Sequence, residues 1–212
     1  MILYGAPVSP FVRKVCAYLS ERNLEFEQVF VGLGDPNPGF LAASPFRKMP
    51  ALTDGDYQLS DSSAIIHYLE AKHPEGGLIP ADPQLRGKSV WLDEFGDTIV
   101  TAAAGKMFFN RVVSPRFLKK PGDDALAAQG EAEMLPVCDY LERIIPESGF
   151  LVGDRLTLAD LATASPFVNA SHAGFSLDGA AYPKLMAYLA AILARPCFAS
   201  GIASEKAMLG IG

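Results

Sequence analysis

The chain is short of positive charge, of cysteine and of long apolar runs, and each shortage removes a class of function. Its 18 lysines and arginines are outnumbered by 24 aspartates and glutamates, for a net charge of −6. No basic stripe interrupts that balance, so no nucleic acid is expected as a partner. Cys16, Cys138 and Cys197 are odd in number, far apart and fit no metal or redox spacing. A reducing cytoplasm follows as the expected compartment, with no bound metal. His67, His73 and His172 likewise have no metal-ligand spacing. The longest apolar run, Ala187 to Ala194, falls short of the roughly 18 residues that span a bilayer, so no membrane is expected. No basic stretch precedes the apolar N-terminus, which argues against a secretory signal. Gly32-Leu33-Gly34 lacks the third glycine of a dinucleotide fingerprint and runs into prolines.

What is present is an ordinary globular composition in two differently patterned parts. Half of the 212 residues are apolar, and 16 prolines punctuate the chain singly. Strand and helix signals alternate first. Met1–Tyr4 and Phe26–Val31 read as strands, and Pro10 to about Arg22 as a helix with Val12, Val15, Cys16 and Leu19 on one face. Pro36 and Pro38 are read as keeping 32–39 a loop. Residues 51–53 and 57–59 form a hairpin around Asp54-Gly55-Asp56, and a helix from Ser62 to His73 follows.

Beyond a proline-marked linker at 74–84, only helical periodicity is found. Helices are expected from about Leu85 toward Phe109, bent at Gly96 or Gly105, and over about Asp124–Ile145. Another starts at Thr157-Leu158-Ala159-Asp160, and a last one runs over about Tyr182–Ala194, ended by Pro196. The expected division is 1–75, an α/β domain, and 84–212, an all-helical one.

Two signals eleven residues apart carry the chemistry. Lys48-Met49-Pro50-Ala51-Leu52 reads as a bend entering a strand. Asp61-Ser62-Ser63-Ala64-Ile65 reads as the polar start of a helix. A bend proline beside an acidic-hydroxyl helix start suits the backbone and charged end of a small peptide. Upstream, Ser9-Pro10-Phe11-Val12-Arg13-Lys14-Val15 opens a helix just after the first strand.

These segments, in this order, resemble the glutathione transferase superfamily, in a serine-type, bacterial-like form. Phe40 to Pro50 is similar to the family's Asn-Pro-Phe-Gly-Lys-Val-Pro segment, and Leu59 to Ile65 to its Glu/Asp-Ser-x-Ala-Ile helix start. Phe150 to Asp154 through Asp160 resembles its C-terminal motif, with Tyr182-Pro183-Lys184-Leu185 and Arg195-Pro196 at the flanks of a later helix. The resemblance implies a thioredoxin-like N-terminal domain followed by a helical bundle. It also implies glutathione as co-substrate, addition of its thiol to a small hydrophobic electrophile, and a homodimer. Pro50 would be the cis-proline of that fold. Met49 would pair its backbone with the cysteinyl unit, Lys48 would meet the glycyl carboxylate, and Asp61 and Ser62 would hold the γ-glutamyl end. Phe11, Met107 and Phe108 would line the electrophile pocket, although the cluster Met107, Phe108, Phe109 and Phe117 fits helix core equally well.

Ser9 is the candidate catalytic residue. A free thiol titrates near ~8.5, and lowering that by one to two takes roughly 1.4 to 2.7 kcal/mol. A hydrogen bond to an anion contributes about 1.5 to 3 kcal/mol, so one serine hydroxyl donating to the thiolate supplies most of it. Plainer readings stand beside these. Ser9 also fits a helix cap before Pro10, Asp61 and Ser62 a second cap, Tyr4 either strand packing or the thiol donor, and Cys16 a buried apolar residue. Arg13 and Lys14 read as a solvated or interdomain salt-bridging face. Arg47 stands where the family usually has Gly, which means backbone strain or an extra cation. Two other classes remain open: a different glutathione-dependent enzyme (dehalogenase, isomerase or peroxidase) and a non-catalytic binding module of this fold.

Overall fold

A computed structural model describes residues 1–211. Four strands form one sheet in the order β2-β1-β3-β4. β1 (Ile2–Tyr4) runs parallel to β2 (Glu27–Val29), while β3 (Ala51–Asp54) and β4 (Tyr57–Ser60) make an antiparallel hairpin. Tyr4 pairs with Ala51, and Ala51 with Ser60. Helix α1 (Pro10–Glu21) makes the crossover from β1 to β2. Successive strand residues point to opposite faces. Leu3 and Leu52 therefore face the core made by Val12, Val15 and Leu19 of α1 with Ile65, Ile66 and Leu69 of α3 (Ser62–Lys72). Tyr4 and Ala51 face a smaller cluster with Phe40 and Ala43 of α2 (Pro38–Ala43). Each of these leucines and isoleucines, fully buried, contributes about 1.5–3 kcal/mol.

The rest of the described chain is helical. α4 (Pro83–Glu94) continues through a π-helical stretch, Phe95–Val100, into α5 (Thr101–Phe108), then a second π stretch, Phe109–Val113, and α6 (Ser114–Arg116). The expected bend near Gly96 thus appears as a widened turn, with the Thr101 hydroxyl donating to the Gly96 carbonyl at 2.8 Å. Gly96 is required by packing: a Cβ there would meet the Ala162 carbonyl oxygen at 2.5 Å. α7 (Asp124–Ile144), α9 (Pro183–Leu193) and α10 (Pro196–Leu209) complete the helical part, and α8 (Leu158–His172), packed against α1, α4, α5 and α9, is buried along almost its whole length. The Asp160 carboxylate closes the start of α8, accepting from the N–H groups of Thr157 at 2.8 Å and Leu151 at 2.9 Å. Burial pushes its pKa up against those bonds. The thioredoxin-like sheet followed by a helical bundle is the architecture that the sequence implied.

Two proline readings are corrected. Pro38 does not keep 32–39 a loop: it occupies the first turn of α2, where the missing N–H is no loss, and Asn37 caps the helix by accepting from Phe40 N–H at 3.0 Å. Pro196 likewise opens α10 instead of closing the chain's last helix. No single described helix is long and apolar enough to cross a membrane.

Candidate active site

The sheet register gathers the predicted residues at one end. β1 leaves the sheet after Tyr4, β3 enters it at Ala51 and β4 leaves it at Ser60, so residues 5–9, 48–50 and 61–63 emerge at the same edge. Hydrogen bonds join the three segments. Ser9 N–H donates to Ala6 C=O at 3.0 Å, Ala6 N–H reaches the Met49 sulfur at 3.5 Å, and Asp61 N–H donates to Pro50 C=O at 3.3 Å. The Met49–Pro50 peptide is cis. Among the described residues, no group pairs with the N–H or C=O of Met49, which leaves an open strand-like edge there.

Ser9 is the N-cap of α1 and half-buried; its Oγ accepts from Val12 N–H at a long 3.5 Å. That bond uses a lone pair and leaves the hydroxyl proton free to donate. The helix-cap reading and the thiol-donor reading are therefore compatible. Tyr4 is only 7% exposed, tilted against Phe40 at 6.4 Å between ring centres. Its hydroxyl lies where a Cβ on Gly39 would be, 2.4 Å away, so it points into α2 on the other face of the sheet. Burial pushes the Cys16 thiol up to about 12, so it stays protonated at neutral pH.

Asp61 has φ +84°, outside the usual range of a residue with a side chain, and caps α3 by accepting from Ala64 N–H at 3.0 Å. Of the hydroxyl and backbone N–H expected of Ser62, the hydroxyl is engaged elsewhere. Ser62 is 2% exposed, and its hydroxyl donates to Asp97 at 3.2 Å, away from the open edge. What Ser62 and Ser63 offer at the start of α3 is their backbone N–H, unpaired as in any first turn. Burial raises the Asp97 carboxyl, opposed by the Lys14 ammonium 2.5 Å away. Lys48 and Arg47 are both exposed. Arg47 has φ +55°, and Ser44 braces the loop by accepting from Lys48 N–H at 2.9 Å and donating to Lys48 C=O at 2.7 Å.

The family models for the N-terminal and C-terminal domains of glutathione S-transferase match residues 3–77 and 100–196. The chain belongs to the glutathione S-transferase family. It is 36% identical to glutathione S-transferase 3 of Zea mays over 95% of its own length and 93% of that protein's. A glutathione S-transferase structure from Rhodospirillum rubrum F11 superposes with a TM-score of 0.84 at 27% identity, covering 93% and 89% of the two chains. Glutathione S-transferase-I, solved with lactoylglutathione bound, superposes with the same score at 26% identity, covering 95% and 98%.

For Met107 and Phe108, expected in either the electrophile wall or the helix core, burial favours the core. Met107 is 0% exposed and packs toward Gly130 of α7, and Phe108 is buried in the same core. Helical periodicity shows that α5 has a buried face but not which neighbour covers it. Phe11, beside Ser9, is half-buried, and Phe109 and Phe117 are the exposed aromatics of that region. Neither Arg13 nor Lys14 is solvated. Lys14 is 0% exposed, its ammonium donating to Asp93 at 2.7 Å, Asp97 at 2.5 Å and Ser63 at 3.1 Å. Arg13 pairs with Glu205 at 2.6 Å. The salt-bridging half of that expectation holds. Sequence reading missed the partners Asp93, Asp97, Ser165, Asn169 and Glu205, which no local signal marks.

Proposed function

We propose that this chain is a serine-type glutathione transferase: it binds glutathione along the edge formed by residues 48–50 and 61–63 and adds its thiol to a small hydrophobic electrophile. The observation that carries the reading is the convergence of the Ser9 hydroxyl, the unpaired Met49 backbone and the open N-terminus of α3 at one end of the sheet. The cysteinyl backbone pairs with Met49. The γ-glutamyl carboxylate meets the N–H groups of Ser62 and Ser63, where the helix dipole favours an anion. The Asp61 carboxylate takes the ammonium, and Lys48, with Arg47 beside it, takes the glycyl carboxylate. Ser9 donates its proton in a hydrogen bond to the sulfur, stabilising thiolate without itself attacking. The thiolate then displaces a leaving group from the electrophile, or adds to it, with Phe11 on the near side of the pocket.

Residues 1–75 form the glutathione-binding domain in this reading, and 84–212 the helical domain that shapes the pocket. The working unit is a homodimer. Phe46 at 87% exposure and the half-exposed Trp91 are apolar groups that a second copy would cover. The role in this reading is cytoplasmic detoxification.

Glutathione titration with the thiolate absorbance followed against pH tests this directly. Binding should come with a thiol pKa about one to two below the free value near ~8.5. Ser9→Ala should cut turnover more than about tenfold while glutathione affinity stays within a few-fold. Binding with an unshifted thiol would make the chain a carrier, and no binding at millimolar glutathione would leave only the fold.

A further inference from the structure

The two carbonyls that flank Ser9 are held by one helix from the far half of the chain. Asn169 Nδ2 donates to Val8 C=O at 2.8 Å, and the Ser165 hydroxyl donates to Pro10 C=O at 2.7 Å. Residues 165 and 169 are one turn apart on α8, so they present both groups on the same face. Both are buried.

The orientation of this pair is fixed by Arg13. Its Nη1 donates to Asn169 Oδ1 at 2.8 Å and to Ser165 C=O at 2.8 Å. Because a guanidinium only donates, the amide oxygen of Asn169 must face it, and the NH2 group must face Val8. Arg13 is itself gripped by Glu205, through Nε at 2.7 Å and Nη2 at 2.6 Å, and Glu205 also meets His172 at 3.1 Å. Val8 lies ahead of α1, so no helical N–H supplies its carbonyl with a partner. Asn169 does.

We propose that Asn169 and Ser165 are positioning residues for Ser9. They clasp the carbonyls of the residues on either side of it and so fix where its hydroxyl points. Reactivity that depends on one hydroxyl donating to a sulfur is sensitive to displacements well under about 1 Å. The Val12 N–H contact at 3.5 Å is too long to hold the group alone. The proposal rests on Ser9 acting on the thiol.

Asn169→Asp is the informative variant. It keeps an oxygen for Arg13, replaces the donation to Val8 with a carboxylate oxygen facing that carbonyl, and adds a negative charge beside Arg13. Ser165→Ala, a milder change, removes the Pro10 bond and serves if the first variant folds poorly. Each should lower kcat with an aryl halide about tenfold, leave the KM for glutathione within about twofold and raise the bound thiol pKa by about 0.5 to 1. In a Ser9→Ala background the same substitutions should change the bound thiol pKa no further. Equal effects in both backgrounds, or no effect on thiol pKa in either single variant, would overturn the clasp. A bound thiol pKa unchanged by Ser9→Ala alone would overturn the Ser9 reading first, and the clasp with it.

Discussion

Asp61 N–H donates to the carbonyl of Pro50 across 3.3 Å, tying the start of α3 to the cis-proline turn. The bond crosses from the end of β4 to the beginning of β3. It holds Asp61 in its φ +84° conformation, and the Ala64 N–H accepted by its side chain holds it from the other side. Strain of this kind persists only where surrounding bonds over-determine it, and it collects at binding sites.

Asp61→Ala should therefore lower stability by about 1–2 kcal/mol through the lost cap and weaken glutathione binding as well. Asp61→Asn should keep the cap, holding stability within about 0.5 kcal/mol, yet still weaken binding, because an amide does not attract an ammonium. Thermal melts and glutathione titrations of the two variants separate these effects. Full-strength binding by Asp61→Asn would reduce Asp61 to a helix cap.

Arg47→Gly tests the loop. The left-handed backbone at φ +55° is strained for arginine and free for glycine, although glycine loses more chain entropy on folding. The balance should be stabilising by about 0.5–1 kcal/mol in a denaturant melt. If Arg47 also attracts the glycyl carboxylate, the KM for glutathione should rise at the same time, and less so at high salt. An unchanged KM leaves that carboxylate to Lys48 alone.

Lys14→Met should be among the most damaging single changes, costing about 3–5 kcal/mol, because it strands Asp93 and Asp97 without their cation. Combining it with Asp93→Asn and Asp97→Asn should recover much of the loss. A triple variant no better than Lys14→Met would mean that packing of the lysine stem, and not charge, carries the effect.

Glu205 gives a pH dependence whose sign is fixed. Burial alone would raise its carboxyl, but Arg13 and His172 hold it below its ordinary value near 4.5. The stabilisation is complete above that value and is lost as pH falls through the lower folded-state pKa. Glu205→Gln should be less stable at neutral pH and show a shallower decline in urea melts between about pH 5 and pH 3. Parallel acid profiles for the two proteins would remove Glu205 from the list of acid-sensitive groups.

Much of the fold was legible because its signals are local. Strand alternation, the Asp-Gly-Asp turn, the cap at Asp160 and the Lys48–Pro50 bend each lie within a few residues of what they determine. Pro38 and Pro196 were misread because a proline forbids a helical interior but favours a first turn, and only the surrounding chain decides which applies. The placement of Ser62, Lys14 and Asn169 was not legible. Their partners lie 35, 79 and 161 residues away, and no periodicity encodes a pairing across that distance.

Arg13 and Lys14 are neighbours in sequence, yet each hands its charge to a different helix, one to α10 and the other to the α4–α5 run. Consecutive positions on one helix thus act as separate bolts into the second half of the molecule. Recombining halves between related proteins is consequently constrained by ion-pair matching more than by the linker. A transplanted 1–75 segment brings two desolvated cations that need acids at positions equivalent to 93, 97 and 205. A hybrid lacking Glu205, or both Asp93 and Asp97, begins with an uncompensated charge at the seam, whatever the quality of its active site.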